Sequence, residues 1–221
     1  MPKPLITAPL VIALATLLGQ PLPASAANYE TLCQVKEGSA SDTATFWFDT
    51  RSLCAYSGMQ VQQGRTYQVK MQVPDQWRWS DKYIPANPGG YECPPKFPAS
   101  WVTALSTSMR RHPDLPWFQT MVRIGTAGDD FYALPIKPEK LLPPKHCSPG
   151  PTIEEWPKAW RCPPDAVAVE GGRIFNSSFT ARSDGPLFFY VNDVGGGSVL
   201  GDLLYRNNQG CARVTITESQ Q

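Results

Sequence analysis

Six cysteines, two histidines and a scatter of carboxylates are the side chains of this 221-residue chain best equipped for chemistry. The cysteines (Cys33, Cys54, Cys93, Cys147, Cys162 and Cys211) either hold a metal or pair with one another. A structural metal site wants thiolates clustered at short spacing, and the chain has no Cys-x-x-Cys pair. An even count at long, irregular spacings reads instead as three disulfides, for which fifteen pairings exist. One pairing suggests itself locally, because Cys147–Cys162 would close a proline-rich loop that can form little hydrogen-bonded structure. His112 lies in Arg110-Arg111-His112-Pro113 and His146 adjoins Cys147, so each reads as solvated loop surface before base or ligand. Gly-x-Ser-x-Gly, His-Glu-x-x-His and a phosphate-cradling glycine loop are all missing from the sequence. A glycosidase needs two carboxylates at a set separation in space, which sequence spacing does not define. A hydrolase is therefore unsupported, and the chain is expected not to be an enzyme.

The elements that must position these residues are strands. After Gly64, Tyr67, Val69, Met71 and Val73 alternate with Gln68, Lys70 and Gln72, the period-two pattern of a half-buried strand. Leu187 to Val191 (LFFYV) is an apolar run between Asp184-Gly185-Pro186 and Asn192-Asp193, as expected of a central strand between turns. Ala212, Val214 and Ile216 alternate with Arg213, Thr215 and Thr217 in a closing strand. Weaker strand signals cover 45–48, 121–124 and 174–179. Only 100–111 is free enough of proline and glycine to hold a helix of useful length, and helix and non-helix stand even there. The 23 prolines and 17 glycines cut the remainder short, which suits an all-β sandwich or jelly roll. Residues 82–118 and 135–165 read as two long loops pinned by disulfides, carrying Trp101, Trp117, Trp156 and Trp160.

The first 26 residues bear on the compartment. Lys3, the apolar core Leu10–Leu18, the breakers Pro21 and Pro23, and Ala24-Ser25-Ala26 make the three-part layout of a secretory signal. A membrane anchor would need about 20 apolar residues, far more than this core offers. Cleavage before Ala27 leaves a single domain, 27–221, expected to be periplasmic or secreted. Without Lys3 that domain has 19 basic and 19 acidic residues. A net charge of zero leaves no electrostatic footprint for nucleic acid or an anionic membrane surface.

The C-terminal region carries a more specific pattern: Phe189-Tyr190-Val191-Asn192-Asp193-Val194, then Tyr205-Arg206-Asn207-Asn208-Gln209-Gly210, then Ala212-Arg213-Val214-Thr215-Ile216. It resembles the bacterial calcium-dependent galactophilic lectins, the LecA-like (PA-IL-like) family. Upstream pieces fall in the same order: Gly58 to Gly64, Tyr67–Val73, Gln76-Trp77-Arg78-Trp79-Ser80-Asp81, and Leu115-Pro116 through Ile124-Gly125. The likeness spans about 55–217 in scattered pieces. It departs in a longer, glycine-bearing segment from Asp193 to Asn207 and in the length and content of 82–118.

The resemblance implies a small galactose-binding-like jelly-roll sandwich with calcium at one end, the ion itself holding sugar hydroxyls. Matched residue by residue, Asp193, Asn207 and Asn208 would supply side-chain ligands, Leu204 a backbone carbonyl, and a residue near Ser80 another. Calcium takes six to eight hard oxygens from such groups, and one carboxylate with two amides leaves it under-neutralised. Asp193 and Asn207 would then also serve the sugar, with Trp101 or Trp117 as stacking faces, although tryptophan more often packs. The same residues admit a plainer reading. Asn207-Asn208-Gln209-Gly210 before a strand is also an ordinary turn, and Asn192-Asp193 a turn cap. The rival function is a structural domain that has lost the ion site and contacts a protein partner.

Overall fold

The computed structural model describes residues 33–35, 43–75, 79–82, 84–93, 103–104, 107, 110–126, 130–138, 162, 171–194 and 205–219. The expected signal, residues 1–26, lies outside them, as does His146. The period-two run forms β3 (Thr66–Val73), with Tyr67, Val69, Met71 and Val73 each 1% exposed and the intervening residues turned outward. In chain order the other strands are β1 (Thr43–Asp49), β2 (Ala55–Val61), β4 (Ser80–Asp81), β5 (Ile84–Asn87), β6 (Gly90–Tyr91), β7 (Thr120–Ile124), β8 (Phe131–Ala133), β9 (Lys137–Pro138), β10 (Arg173–Thr180), β11 (Gly185–Val191), β12 (Asn208–Gln209) and β13 (Cys211–Glu218).

They make an all-β fold of antiparallel sheets. A five-stranded sheet runs β1-β13-β3-β10-β9, and a four-stranded sheet runs β2-β11-β7-β8. Between them lies one apolar core, in which Val69, Met71, Val214 and Ile216 of the first sheet join Val122, Ile124, Leu187 and Phe189 of the second. Phe46 meets Phe189 edge-on at 5.3 Å and Phe48 approaches it at 6.0 Å. A large apolar side chain fully removed from water contributes about 1.5–3 kcal/mol, so this interior, rather than the short connections, holds the sheets together. The five residues Leu187 to Val191 are 0% exposed, because β11 is central in its sheet and covered on both faces.

Each expected strand is present, but the segment from 82 is more than a loop. β4, β5 and β6 join β12 in a small third sheet, and Cys93 beyond them is disulfide-bonded. Of 100–111, Thr103 and Ala104 have helical backbone, while Arg110 bridges Val194 in extended pairing. Most of 135–165 lies outside the described residues, although β9 within it pairs with β10.

The local pairing Cys147–Cys162 is corrected. Cys162 is bonded to Cys211, with Cα atoms 5.8 Å apart across 49 residues, and Cys33 is bonded to Cys54 across 21. Cys211 opens β13 and is fully buried, so the bridge ties the second long segment to the core sheet instead of closing it on itself. Cys147 lies outside the described residues.

Candidate metal centre

At one end of the sandwich, four pieces of chain meet: the turn after β1, strand β4, the turn after β11, and Asn207 with strand β12. Cross-strand pairing sets Asn208 opposite Asp81 and Gln209 opposite Ser80. The Lys82 amide donates to the Asn207 carbonyl at 3.2 Å, and the Thr50 amide to that of Gly210 at 3.1 Å. Trp79, 2% exposed and packed on Phe48 at 5.8 Å and Phe118 at 6.4 Å, anchors the entry to β4 in the core. Lys82 then turns the chain with φ at 53°, a conformation uncommon for a residue with a side chain.

Asp193 is aimed by its neighbour. Asn192 is 0% exposed, and its amide nitrogen donates to the carbonyls of His112 (3.0 Å), Leu115 (3.2 Å) and Pro116 (2.9 Å), while its oxygen accepts from the His112 amide at 3.0 Å. One buried side chain therefore laces the 112–116 segment to the end of β11. Asp193 follows at 3% exposure, its Oδ1 accepting from the Val194 amide at 2.7 Å and its carbonyl from the Arg111 amide at 3.0 Å. The Arg111 guanidinium lies over the rings of Tyr190 (4.9 Å) and Tyr205 (5.0 Å) and donates to the Leu53 carbonyl at 2.6 Å.

Oxygens without partners are concentrated here. Asp193 Oδ2, Asn207 Oδ1, Asn208 Oδ1 and Thr50 Oγ1 are all buried with no hydrogen bond. Asn208, 1% exposed, uses its amide nitrogen on the Thr50 carbonyl at 3.2 Å. A buried polar group left unpaired costs about 1–3 kcal/mol. The other buried oxygens without partners among the described residues, on Tyr56, Gln119, Thr120 and Ser177, lie on β2, at the entry to β7 and on β10. Carboxylate, amide and hydroxyl oxygens are the donor types a hard cation takes.

The electrostatics agree with the geometry. Desolvation, followed by the charge of Asp81, pushes the Asp193 carboxyl up to about 7, against the pull of the Val194 amide, Asn208 and Arg111. Asp81 is raised too, chiefly by desolvation, although the Tyr91 hydroxyl donates to its Oδ2 and favours the charged form. Burial and the Asp81 charge hold Tyr91 far above its ordinary value, so it remains a donor. Two neighbouring desolvated carboxyls disfavour double ionisation, and a divalent cation relieves that conflict.

Of the residues expected from sequence, Asn208 acts on the Asp193 carboxyl, and Asn207, with a buried unpaired Oδ1, precedes Asn208 in the chain. Ser80 lies beside them on β4, its hydroxyl donating to the Lys82 carbonyl at 3.2 Å. Leu204 and Trp101 lie outside the described residues. Trp117 is engaged within the protein: it stacks on Tyr91 at 6.3 Å with planes 5° apart and carries the Arg110 guanidinium over its ring at 4.9 Å. Sequence reasoning missed Asp81, Thr50 and Tyr91. Asp81 follows Ser80 directly, but the resemblance assigned that stretch a backbone carbonyl. His112 is also corrected, since it is half-buried, hydrogen-bonded through Nε2 to the Tyr190 hydroxyl at 2.8 Å, and packed on Phe131 at 4.0 Å. Its neighbours give it that role, through Asn192 and Tyr190.

No described cluster joins three or more His, Cys, Asp or Glu side chains for metal binding, so this site rests on two carboxylates and neutral oxygens. Among the described residues no helix is long and apolar enough to cross a membrane. Comparisons of the chain with protein-family models, with curated proteins and with solved structures found no match.

Proposed function

We propose that this protein is an exported, non-catalytic binding module of LecA-like type that holds calcium through Asp193, Asn207 and Asn208 and takes carbohydrate as its ligand class. The observation that carries the reading is the set of buried oxygens without partners on those three residues and Thr50. Bound calcium would supply a Lewis-acidic centre for vicinal sugar hydroxyls, while the chain's part is to hold the donors in place and exclude water. The two face-to-face sheets support the jelly-roll winding the resemblance implies, and the bridges Cys33–Cys54 and Cys162–Cys211 support a periplasmic or secreted location. The balanced charge favours neither nucleic acid nor an anionic membrane as partner.

A second reading keeps the ion as a structural staple and assigns the protein a protein partner. It is favoured by Asp81, which brings the carboxylates to two, and by Trp117, which is stacked on Tyr91. A glycan array run in calcium and in chelator separates the two readings. Calcium-dependent binding that vanishes in Asp193→Ala supports the module, and calcium uptake without any glycan signal supports the staple.

A further inference from the structure

We propose that Asp81 is a second carboxylate ligand of this ion, held in position by the Tyr91 hydroxyl, so that the protein alone neutralises a divalent cation. The inference rests on the calcium reading and departs from the single-carboxylate site that the resemblance implies. Asp81 stands opposite Asn208 in the β4–β12 pairing, which puts the two side chains on the same face of that small sheet. The unpaired Asn208 Oδ1 and Asp193 Oδ2, at residues 1% and 3% exposed, are the independent sign that a ligand is expected there. Tyr91 donates to Asp81 Oδ2 and leaves Oδ1 for the ion. The tyrosine is itself fixed, stacked between reach of Trp117 at 6.3 Å and Phe118 at 6.2 Å. A ligating carboxylate oriented by a hydrogen-bond donor behind it is the usual construction of a metal site, and losing such a donor typically weakens the metal about 10–100-fold. Affinity for calcium also rises with the number of charged ligands.

The test is a calorimetric calcium titration of the disulfide-intact wild type, Asp193→Asn, Asp81→Asn and Tyr91→Phe, with melting curves in chelator. Asp81→Asn should bind calcium more than about 100-fold more weakly and Tyr91→Phe about 10-fold more weakly, in line with first- and outer-sphere losses. In chelator Asp81→Asn should melt higher than wild type, since it removes one of two neighbouring carboxyls, whereas a merely structural Asp81 would make the variant melt lower. If Asp193→Asn abolishes binding while Asp81→Asn keeps it within a few-fold of wild type, Asp81 is no ligand and the proposal is overturned, with the calcium reading intact. If the wild type takes up no calcium, both fall together.

Discussion

Raising the pH should destabilise the calcium-free protein, the reverse of ordinary acid denaturation. The folded state holds Asp193 at about 7 against an ordinary 3.8, so it binds the proton more tightly than the unfolded chain does. A carboxyl shifted upward contributes stability that is fully present below its unfolded value and is lost as the pH climbs to the folded one. Between pH 4 and 7 the difference is about three units at about 1.4 kcal/mol each, or roughly 4 kcal/mol. For a chain of this size that corresponds to a fall in Tm of roughly 8–16 °C. Asp81, also raised, acts with the same sign. Saturating calcium should abolish the slope, because the ion favours the charged carboxylates and competes with their protons. Differential scanning fluorimetry at half-unit steps from pH 4 to 8, in chelator and in calcium, reads both curves. A chelated protein whose Tm is level or climbs from pH 4 to 7 would refute the reasoning. So would an Asp193→Asn variant that keeps the wild-type slope, since that change removes the titrating group.

At neutral pH and about 100 times its dissociation constant, calcium should add about 2.7 kcal/mol, and Asp193→Ala should erase that melting shift. Cys162→Ser with Cys211→Ser should cost about 4 kcal/mol by chain entropy and weaken calcium binding, read by denaturant unfolding and calorimetry, because the bridge ends three residues beyond Asn208. Asn192→Ala should cost about 3 kcal/mol in the same unfolding assay, since the carbonyls of His112, Leu115 and Pro116 lose their shared donor. A loss under 1 kcal/mol there would mean that the 112–116 segment is held by other contacts.

The strands that carry the core were legible because their patterns are long. β3 and β13 alternate over six residues or more, and β11 is a five-residue apolar run between turn signals. β2 was not legible, because Gly58 at φ 81° interrupts its sequence and its pairing with β11 slips register near Pro186. β4, β5 and β6 are two to four residues long among Pro85, Pro88, Gly89 and Gly90, a composition that reads as loop and supports strands only through pairing with β12 and one another. At the site, a family resemblance named Asp193, Asn207 and Asn208, whose side-chain oxygens are buried without partners, and it did not name Asp81. Asp81 lies opposite Asn208, a relation set by strand register between residues 127 positions apart in the chain. The disulfide pairing was hidden for the same reason, since local loop closure says nothing about which strand a cysteine will meet.

An ion held by Asp193, Asn207 and Asn208 would be directly visible in diffraction. An anomalous-difference map from crystals grown in calcium tests it most directly. One peak per chain is expected within about 2.3–2.6 Å of oxygens from all three residues, as calcium–oxygen coordination requires. A map with no peak at this end of the sandwich, while the four unpaired oxygens keep their places, would contradict it.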